Sequence, residues 1–330
     1  MKLFTYSKST GTKENAYQSA TTKNNAKYIA GGTNLLDLMK IGIAEPDHLV
    51  DISKLKLDQF QKLPNGGILL GAMTRNSDVA NEAIIRQNYP ILSRAILSGA
   101  SPQLRNMATT GGNLLQRTRC WYFYDTASAC NKRTPGTGCD AIDGFNRMNA
   151  VLGGSERCIA VHPSDMCVAL ACLDAIIHTF GPDGARKIPI NQFYTLPDDR
   201  PEVETVLKQN ELITGVELPP TTPSKQWCYL KIRDRASFAF ALISVATTIK
   251  LEGKHIRSAN IALGGVAPKP WRADEAEKFL ENKAPSEQVF RAAAELAMKS
   301  AKGFEHNSFK IELAKRAIVR SLKIATGDMA

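Results

Sequence analysis

The chain has 330 residues, 43% hydrophobic and 22% charged, with a formal net charge of +10, a composition that can bury a real core in two domains or one large one. No apolar run approaches the roughly 18 residues a spanning helix needs. The basic excess is spread along the chain without runs interleaved with aromatics, so the charge points to a solvated surface rather than to nucleic acid or membrane insertion.

In chain order, the opening MKLFTYSKSTGTKENAYQSA lacks the apolar centre of a secretory signal, so independent export is not expected. The segment KYIAGG (27–32) is a short strand stopped by two glycines, and TNLLDLMKIG then carries apolar Leu35, Leu36, Leu38 and Met39 at helical spacing. HLVDIS and GGILLGAMT are strand-like, whereas residues 77–100 show helix-period apolar positions with Ser77 and Asp78 as caps. ELITGVELPP (211–220) is a strand halted by prolines. After TTPSKQ (221–226), a plausible linker, come three strand candidates, WCYLKI, FAFALISVATTIKL and IRSANIALGGVA. Two helices close the chain, PSEQVFRAAAELAMKSA and SFKIELAKRAIVRSLKIA, the second with Ile311, Ala314, Ile318 and Leu322 on one stripe. The reading is a mixed α+β protein divided near residue 221.

Two segments share a pattern. AGGTNLL (30–36) and TTGGNLL (109–115) each set a glycine pair beside threonine and asparagine ahead of two leucines. Each predicts unprotected backbone N–H groups at a helix start, the chemistry that binds phosphate oxygens. Neither is the G-x-G-x-x-G fingerprint nor a P-loop, and either alone reads as an ordinary tight turn.

Seven cysteines in a chain without an export signal argue for reduced thiols, which favours metal ligation over disulfides. Cys120, Cys130, Cys139 and Cys158 fall in one polar, glycine-dotted stretch, with 9, 8 and 18 residues between successive members. Structural zinc sites favour close C-x₂₋₄-C pairs, which are missing among these four, while an iron–sulfur cluster takes four thiolates from a wider loop. Cys167, Cys172 and Cys228 read as small buried apolar residues.

The order of KYIAGGTNLLDLMK, RNMATTGGNLLQRTRC, HPSDMCVALACLDA, ELITGVELPP, YLKIRDRASFAFALISVA and IALGGVAPKPWR resembles the FAD-binding subunits of the molybdenum hydroxylases, the xanthine dehydrogenase family. Within it the chain is most similar to the flavin subunits of bacterial periplasmic aldehyde oxidoreductases. The resemblance implies a PCMH-type, vanillyl-alcohol-oxidase-like FAD-binding fold in two α/β subdomains over residues 1–221. A CO dehydrogenase-type C-terminal domain of a small antiparallel sheet and helices would follow over 222–330. It also implies a [4Fe–4S] insertion over 117–160.

By the same resemblance, Lys27, Tyr28, Ile29, Ala30, Gly31, Gly32, Thr33, Asn34 and Leu35 would form the first FAD loop, and Thr109, Gly112 and Asn113 the second contact. Asp165 would be the acidic FAD ligand, with His162 and Thr118 as neighbours. Ile213 would touch the flavin, and Lys231 would be the basic residue near its ring, where a cation stabilises the reduced anion. Cys120, Cys130, Cys139 and Cys158 would ligate the cluster. Cys120 lies seven residues past Asn113, and Cys158 seven before Asp165, so the chain allows at most roughly 25 Å between cluster loop and each proposed contact. Arg117, Arg119, Lys132 and Arg133 would offset the cluster's charge, while Trp121, Tyr122, Phe123 and Tyr124 read as a satellite core over the loop.

The implied activity is electron transfer from a molybdenum-cofactor large subunit and a [2Fe–2S] small subunit, in a heterotrimer, to an external acceptor. No general base is expected on this chain. The alternatives are a self-contained flavoreductase with its own substrate site, or a zinc-stapled non-redox module. The resemblance implies periplasmic location by co-export with a signal-bearing partner, while the missing signal alone favours the cytoplasm.

Overall fold

A computed structural model describes residues 1–221 and 224–327; residues 222 and 223 of the expected linker lie outside the described residues. Three sheets organise the chain. A parallel sheet takes the strands Thr5–Lys8, His48–Asp51 and Ala26–Ile29 in that spatial order. An antiparallel sheet of five is ordered Phe60–Lys62, Ile68–Gly71, Leu212–Leu218, Ile176–Gly181, Gly184–Pro189. The third, also antiparallel, runs Trp271–Arg272, His255–Gly264, Ile243–Glu252, Trp227–Ile232.

Leu212–Leu218 lies at the centre of the five-stranded sheet, 140 residues after its neighbour Ile68–Gly71 in the chain. The chain leaves this sheet after Gly71 and re-enters it at Ile176, so residues 72–175, including the cysteine stretch, form an excursion that returns to the same sheet.

The C-terminal sheet packs against the helices Asp274–Leu280 and Phe309–Thr326, and the helix Glu287–Ala297 packs against both of these. Ala314, Ile318 and Leu322 on the last helix are fully buried. Each large apolar side chain so buried contributes roughly 1.5–3 kcal/mol, so tertiary packing of the stripe rather than propensity holds this helix. The helix Asp165–Cys172 is buried along its whole length and touches both Ile243–Glu252 and His255–Gly264. Cys167 and Cys172 lie in that helix with no exposed surface, and Cys228 is buried in its strand, as their apolar contexts predicted.

Three local expectations need correction. Residues 77–100 form three short helices, Asn76–Asn81, Ala83–Asn88 and Pro90–Ser98, because Glu82 turns extended and Pro90 disfavours helix at Tyr89. The first of them is preceded by Arg75, with no side-chain cap. The second strand of the C-terminal sheet starts only at Ile243, since Phe238 adopts φ 48° and the chain bends there. The helix Lys13–Thr21 and the strand Thr5–Lys8 went unread because their apolar residues are few.

Candidate functional site: a groove between two glycine turns

The strand Ala26–Ile29 ends in the first glycine pair and leads into the helix Leu35–Lys40. Gly32 has φ 71°, a conformation glycine adopts without strain. At Gly31 the constraint is space: a Cβ there would stand 1.9 Å from the Met107 carbonyl oxygen. Among the described residues, the amides of Gly31, Gly32, Thr33 and Asn34 donate to no group of the chain. Asn34 precedes the helix without capping it; its Oδ1 instead accepts from the Arg117 amide at 2.9 Å.

The second turn differs. Its amides are occupied: Thr110 donates to Thr74 O (2.9 Å), Gly111 to Ala72 O (2.8 Å), Gly112 to Thr109 Oγ1 (3.2 Å) and Asn113 to Thr109 O (2.8 Å). The expectation of free N–H groups holds for the first turn and fails for the second, where the carbonyls beyond the strand Ile68–Gly71 take the Thr110 and Gly111 amides, and the hydroxyl and carbonyl of Thr109 take those of Gly112 and Asn113.

Lys27 to Leu35, Thr109, Gly112, Thr118, His162 and Ile213 all line one cavity of about 1700 Å3, its open mouth included. Asn113, Asp165 and Lys231 line a second of about 1860 Å3. Thr33, Asn34 and Gln116 border both, so the two are arms of a single groove, and sites of this concave kind take small molecules and cofactors. Several polar atoms of its lining, among them Asn34 Nδ2, Asn76 Oδ1, Arg119 Nε and His162 Nε2, are sealed from water with no hydrogen-bond partner among the described residues. Orphans of this kind cost about 1–3 kcal/mol each unless a ligand completes them. The first arm also carries cations on its wall: Lys27, whose ammonium is pushed down by burial and by nearby Arg117, and Arg117 itself. An extended, anionic dinucleotide such as FAD fits these donors, charges and dimensions.

His162 shares a small crevice with Cys120, Asn149 and Asp165. Its Nδ1 accepts from the Ser164 amide (3.4 Å), its ring packs 4.6 Å from that of Tyr194, and burial drives its pKa down to about 4. Asp165 forms a buried ion pair with Lys231 at 2.7 Å and accepts from Tyr229 OH at 2.6 Å; Lys231 also donates to Ser98 O at 3.0 Å. The Lys231 charge is therefore compensated on this chain, and the pair ties the helix Asp165–Cys172 to the strand Trp227–Ile232. Sequence reasoning missed Tyr229, because a tyrosine inside a strand carries no mark of the carboxylate it meets.

Cys120, Cys130 and Cys158 are buried together with Phe123, and Cys139 packs against them; Cys130 and Cys139 face each other across an antiparallel bridge. All four thiols are free of disulfides. The sulfurs meet N–H donors: Asn149 Nδ2 lies 3.4 Å from Cys120 Sγ, and the Ala160 amide 3.5 Å from Cys158 Sγ. Burial pushes the Cys158 thiol up to about 12 and raises Cys120 and Cys139, so these sulfurs stay protonated until a metal draws the protons off. Among the described residues no three His, Cys, Asp or Glu side chains close on a single metal ion. A lone tetrahedral zinc would draw sulfurs to about 3.8 Å of one another, from Zn–S bonds near 2.3 Å.

The loop's cations divide their work. Lys132 is buried, donates to Pro201 O at 2.7 Å and pairs with Glu204 at 3.1 Å, and its charge favours the Cys158 thiolate. Arg117 pairs with Glu204 and stacks 4.9 Å from the Phe123 ring. Arg119 bonds Tyr124 OH, and Arg133 binds the carbonyls of Tyr122, Phe123 and Asp125 behind the short helix Trp121–Tyr124. The satellite core forms with three of its four aromatics; Trp121 instead faces solvent, 73% exposed.

A family profile described as "FAD binding domain in molybdopterin dehydrogenase" matches residues 4–221, and one described as "CO dehydrogenase flavoprotein C-terminal domain" matches residues 228–325. The chain belongs to the FAD-binding medium subunits of the molybdenum hydroxylases. This medium subunit is 50% identical over 323 residues to the aldehyde oxidoreductase FAD-binding subunit PaoB of Escherichia coli strain K12, covering 98% of each. It is 28% identical to the glyceraldehyde dehydrogenase medium chain of Sulfolobus acidocaldarius, over 82% of this chain and 79% of that one. Among solved structures, a carbon monoxide dehydrogenase chain from Hydrogenophaga pseudoflava aligns with TM-score 0.76 and 25% identity, covering 99% of this chain and 98% of that one. As a medium subunit it works as one chain of a complex with large and small partners.

Proposed function

We propose that this chain is the FAD- and [4Fe–4S]-bearing electron-transfer subunit of a molybdenum-dependent aldehyde oxidoreductase. Electrons would come from a molybdenum-cofactor large subunit and a [2Fe–2S] small subunit and leave to an external acceptor. The observation that carries the aldehyde reading is the 50% identity along nearly the whole chain to an aldehyde oxidoreductase FAD-binding subunit. Bound FAD supplies one- and two-electron chemistry; the chain's own residues bind, orient and insulate it.

The free amides of Gly31 to Asn34, with Lys27 and Arg117 on the same wall, suit the pyrophosphate. The second turn, Thr109, Gly112 and Asn113, would shape the opposite wall, and Ile213 would pack against an apolar part of the ligand. Asp165 and Lys231 hold the far arm together. The [4Fe–4S] assignment to Cys120, Cys130, Cys139 and Cys158 rests on four gathered, undisulfided thiols, two of which, Cys120 and Cys158, receive N–H donors. Thr118 joins the two sites: it lines the groove, and its Oγ1 accepts from the Cys120 amide at 3.2 Å. The domain division at 221 and periplasmic location by co-export with a partner belong to the same reading.

The test is an anaerobic preparation of the chain with its partner subunits. About four iron, four sulfide and one flavin per chain are expected, and flavin bleaching by aldehyde only when the molybdenum subunit is present. One zinc without sulfide overturns the cluster assignment, and bleaching of the isolated chain by aldehyde overturns the transfer role. Fractionation of cells in which the small partner's export signal is deleted decides the location.

A further inference from the structure

Lys310, in the first turn of the helix Phe309–Thr326, has no exposed surface. Its Nζ donates to three carbonyl oxygens, Asn149 (2.7 Å), Gly265 (2.5 Å) and Met148 (3.4 Å). Burial pushes its ammonium down to about 7, so the site holds a costly group whose partners are all main-chain carbonyls. Asn307 adds Nδ2 contacts to the carbonyls of Asn149 (3.5 Å) and Ala150 (3.2 Å). The Asn149 amide donates to Asn146 O at 2.8 Å, and the Ala150 amide to Ile159 O at 2.7 Å. The backbone of Asn149 is thus pinned on every side, and its buried side chain aims Nδ2 at Cys120 Sγ, 3.4 Å away.

We infer that Asn149 is a hydrogen-bond donor to the Cys120 sulfur that raises the reduction potential of the cluster, and that Lys310 is its positioning residue. This rests on the reading that the four cysteines hold a [4Fe–4S] cluster. Reduction places added negative charge on the cluster and its thiolates, and an N–H aimed at one sulfur stabilises the reduced form more than the oxidised one. The C-terminal helix, far from the cysteines in sequence, thereby acts on a redox centre it does not ligate.

The test is a redox titration of the assembled complex, following the reduced cluster by EPR and the flavin by absorbance. Asn149→Leu keeps the side chain's size and removes the donor. At fixed potential the ratio of reduced to oxidised cluster is expected to fall about tenfold, which is 59 mV for one electron, with the flavin midpoint and iron content unchanged. Lys310→Met is expected to shift the cluster in the same direction, and the double variant no further than Asn149→Leu alone. A cluster that is present and unmoved in Asn149→Leu overturns the inference, as does a Lys310→Met shift that adds in full. Should Asn149→Leu lose its cluster, Asn149→Asp, equal in shape but without the donor, is read instead; an unmoved potential there is equally fatal. A wild-type complex with flavin but neither iron nor sulfide removes the cluster reading itself, and this inference with it.

Discussion

The two glycine turns are nearly the same peptide, yet they do opposite things with their amides. In AGGTNLL no amide from Gly31 to Asn34 is taken by any of the described residues, whereas in TTGGNLL the amides of Thr110 to Asn113 are all bonded internally. The difference lies in what stands beside each turn. The second borders the carbonyls of Ala72 and Thr74 and carries its own hydroxyl cap at Thr109; the first is met by an asparagine whose oxygen has turned toward Arg117. The turns also touch, since Gly31 sits against the backbone of Met107 and Ala108, which leads into the second. On the proposed reading, one turn would be the anion site, and the other the socket that holds it in place.

The largest effect that can break this comparison is expected from Gly31→Ala. The added Cβ would meet a main-chain oxygen at 1.9 Å and a main-chain carbon at 2.8 Å, and neither can rotate away. The first turn must leave its socket, so flavin retained per chain after gel filtration is expected to fall at least tenfold, about 1.4 kcal/mol. Gly32→Ala is the graded control. Its φ of 71° costs about 1–2 kcal/mol for a residue with a Cβ, but its nearest neighbour is the flexible Leu36 side chain. Equal flavin content in Gly31→Ala and the native chain would deny that the contact between the turns matters.

Much of this was legible in sequence, for a physical reason. A glycine pair closing a strand before a helix-period run fixes a local conformation, and the last helix's apolar stripe fixes its buried face. The groove residues from Lys27 to Leu35 meet Thr109, Thr118, His162 and Ile213 in one cavity because the excursion from 72 to 175 leaves the five-stranded sheet beside the first turn and returns to it. What stayed hidden depends on partners far apart in the chain. The Thr110 and Gly111 amides of the second turn are taken by carbonyls 36 and 39 positions upstream, the Lys231 charge by Asp165, and Lys310 meets Asn149 across 161 positions. Residue type marks a donor; only the fold decides whether its hydrogen bond is already made.

A middle-sized effect concerns how the socket is built. Asn113 of the second turn accepts from Ser164 Oγ, and the Ser164 amide donates to His162 Nδ1 at 3.4 Å, so the second turn rests on an imidazole held neutral by burial at a pKa of about 4. The unfolded chain takes up a proton near pH 6.5, the folded chain only near 4, so the unfolded state binds more protons between them. Stability therefore falls as pH drops through that window and levels off below it. Although part of the ring borders the groove, its Nε2 is sealed from water, so the loss from pH 7 to 5 is expected to reach about 2 kcal/mol. Chemical denaturation at the two pH values, compared with His162→Gln, isolates this share from the carboxylates. An identical pH slope in the variant would show that the socket does not depend on His162.

The smallest and most discriminating effect is expected from Thr109→Ala. The hydroxyl that accepts from the Gly112 amide at 3.2 Å is lost, and with it the cap of the helix Thr110–Leu114, a change that typically costs about 1 kcal/mol. If the second turn is a socket, that cost appears in thermal stability. Flavin affinity should then change less than about threefold, within roughly 0.7 kcal/mol, because the free amides of the first turn are untouched and the freed Gly112 amide still borders the groove. A tenfold loss of affinity at unchanged melting temperature would mean that Thr109 itself holds the ligand. The two turns would then share the phosphate after all, as their matching letters first suggested.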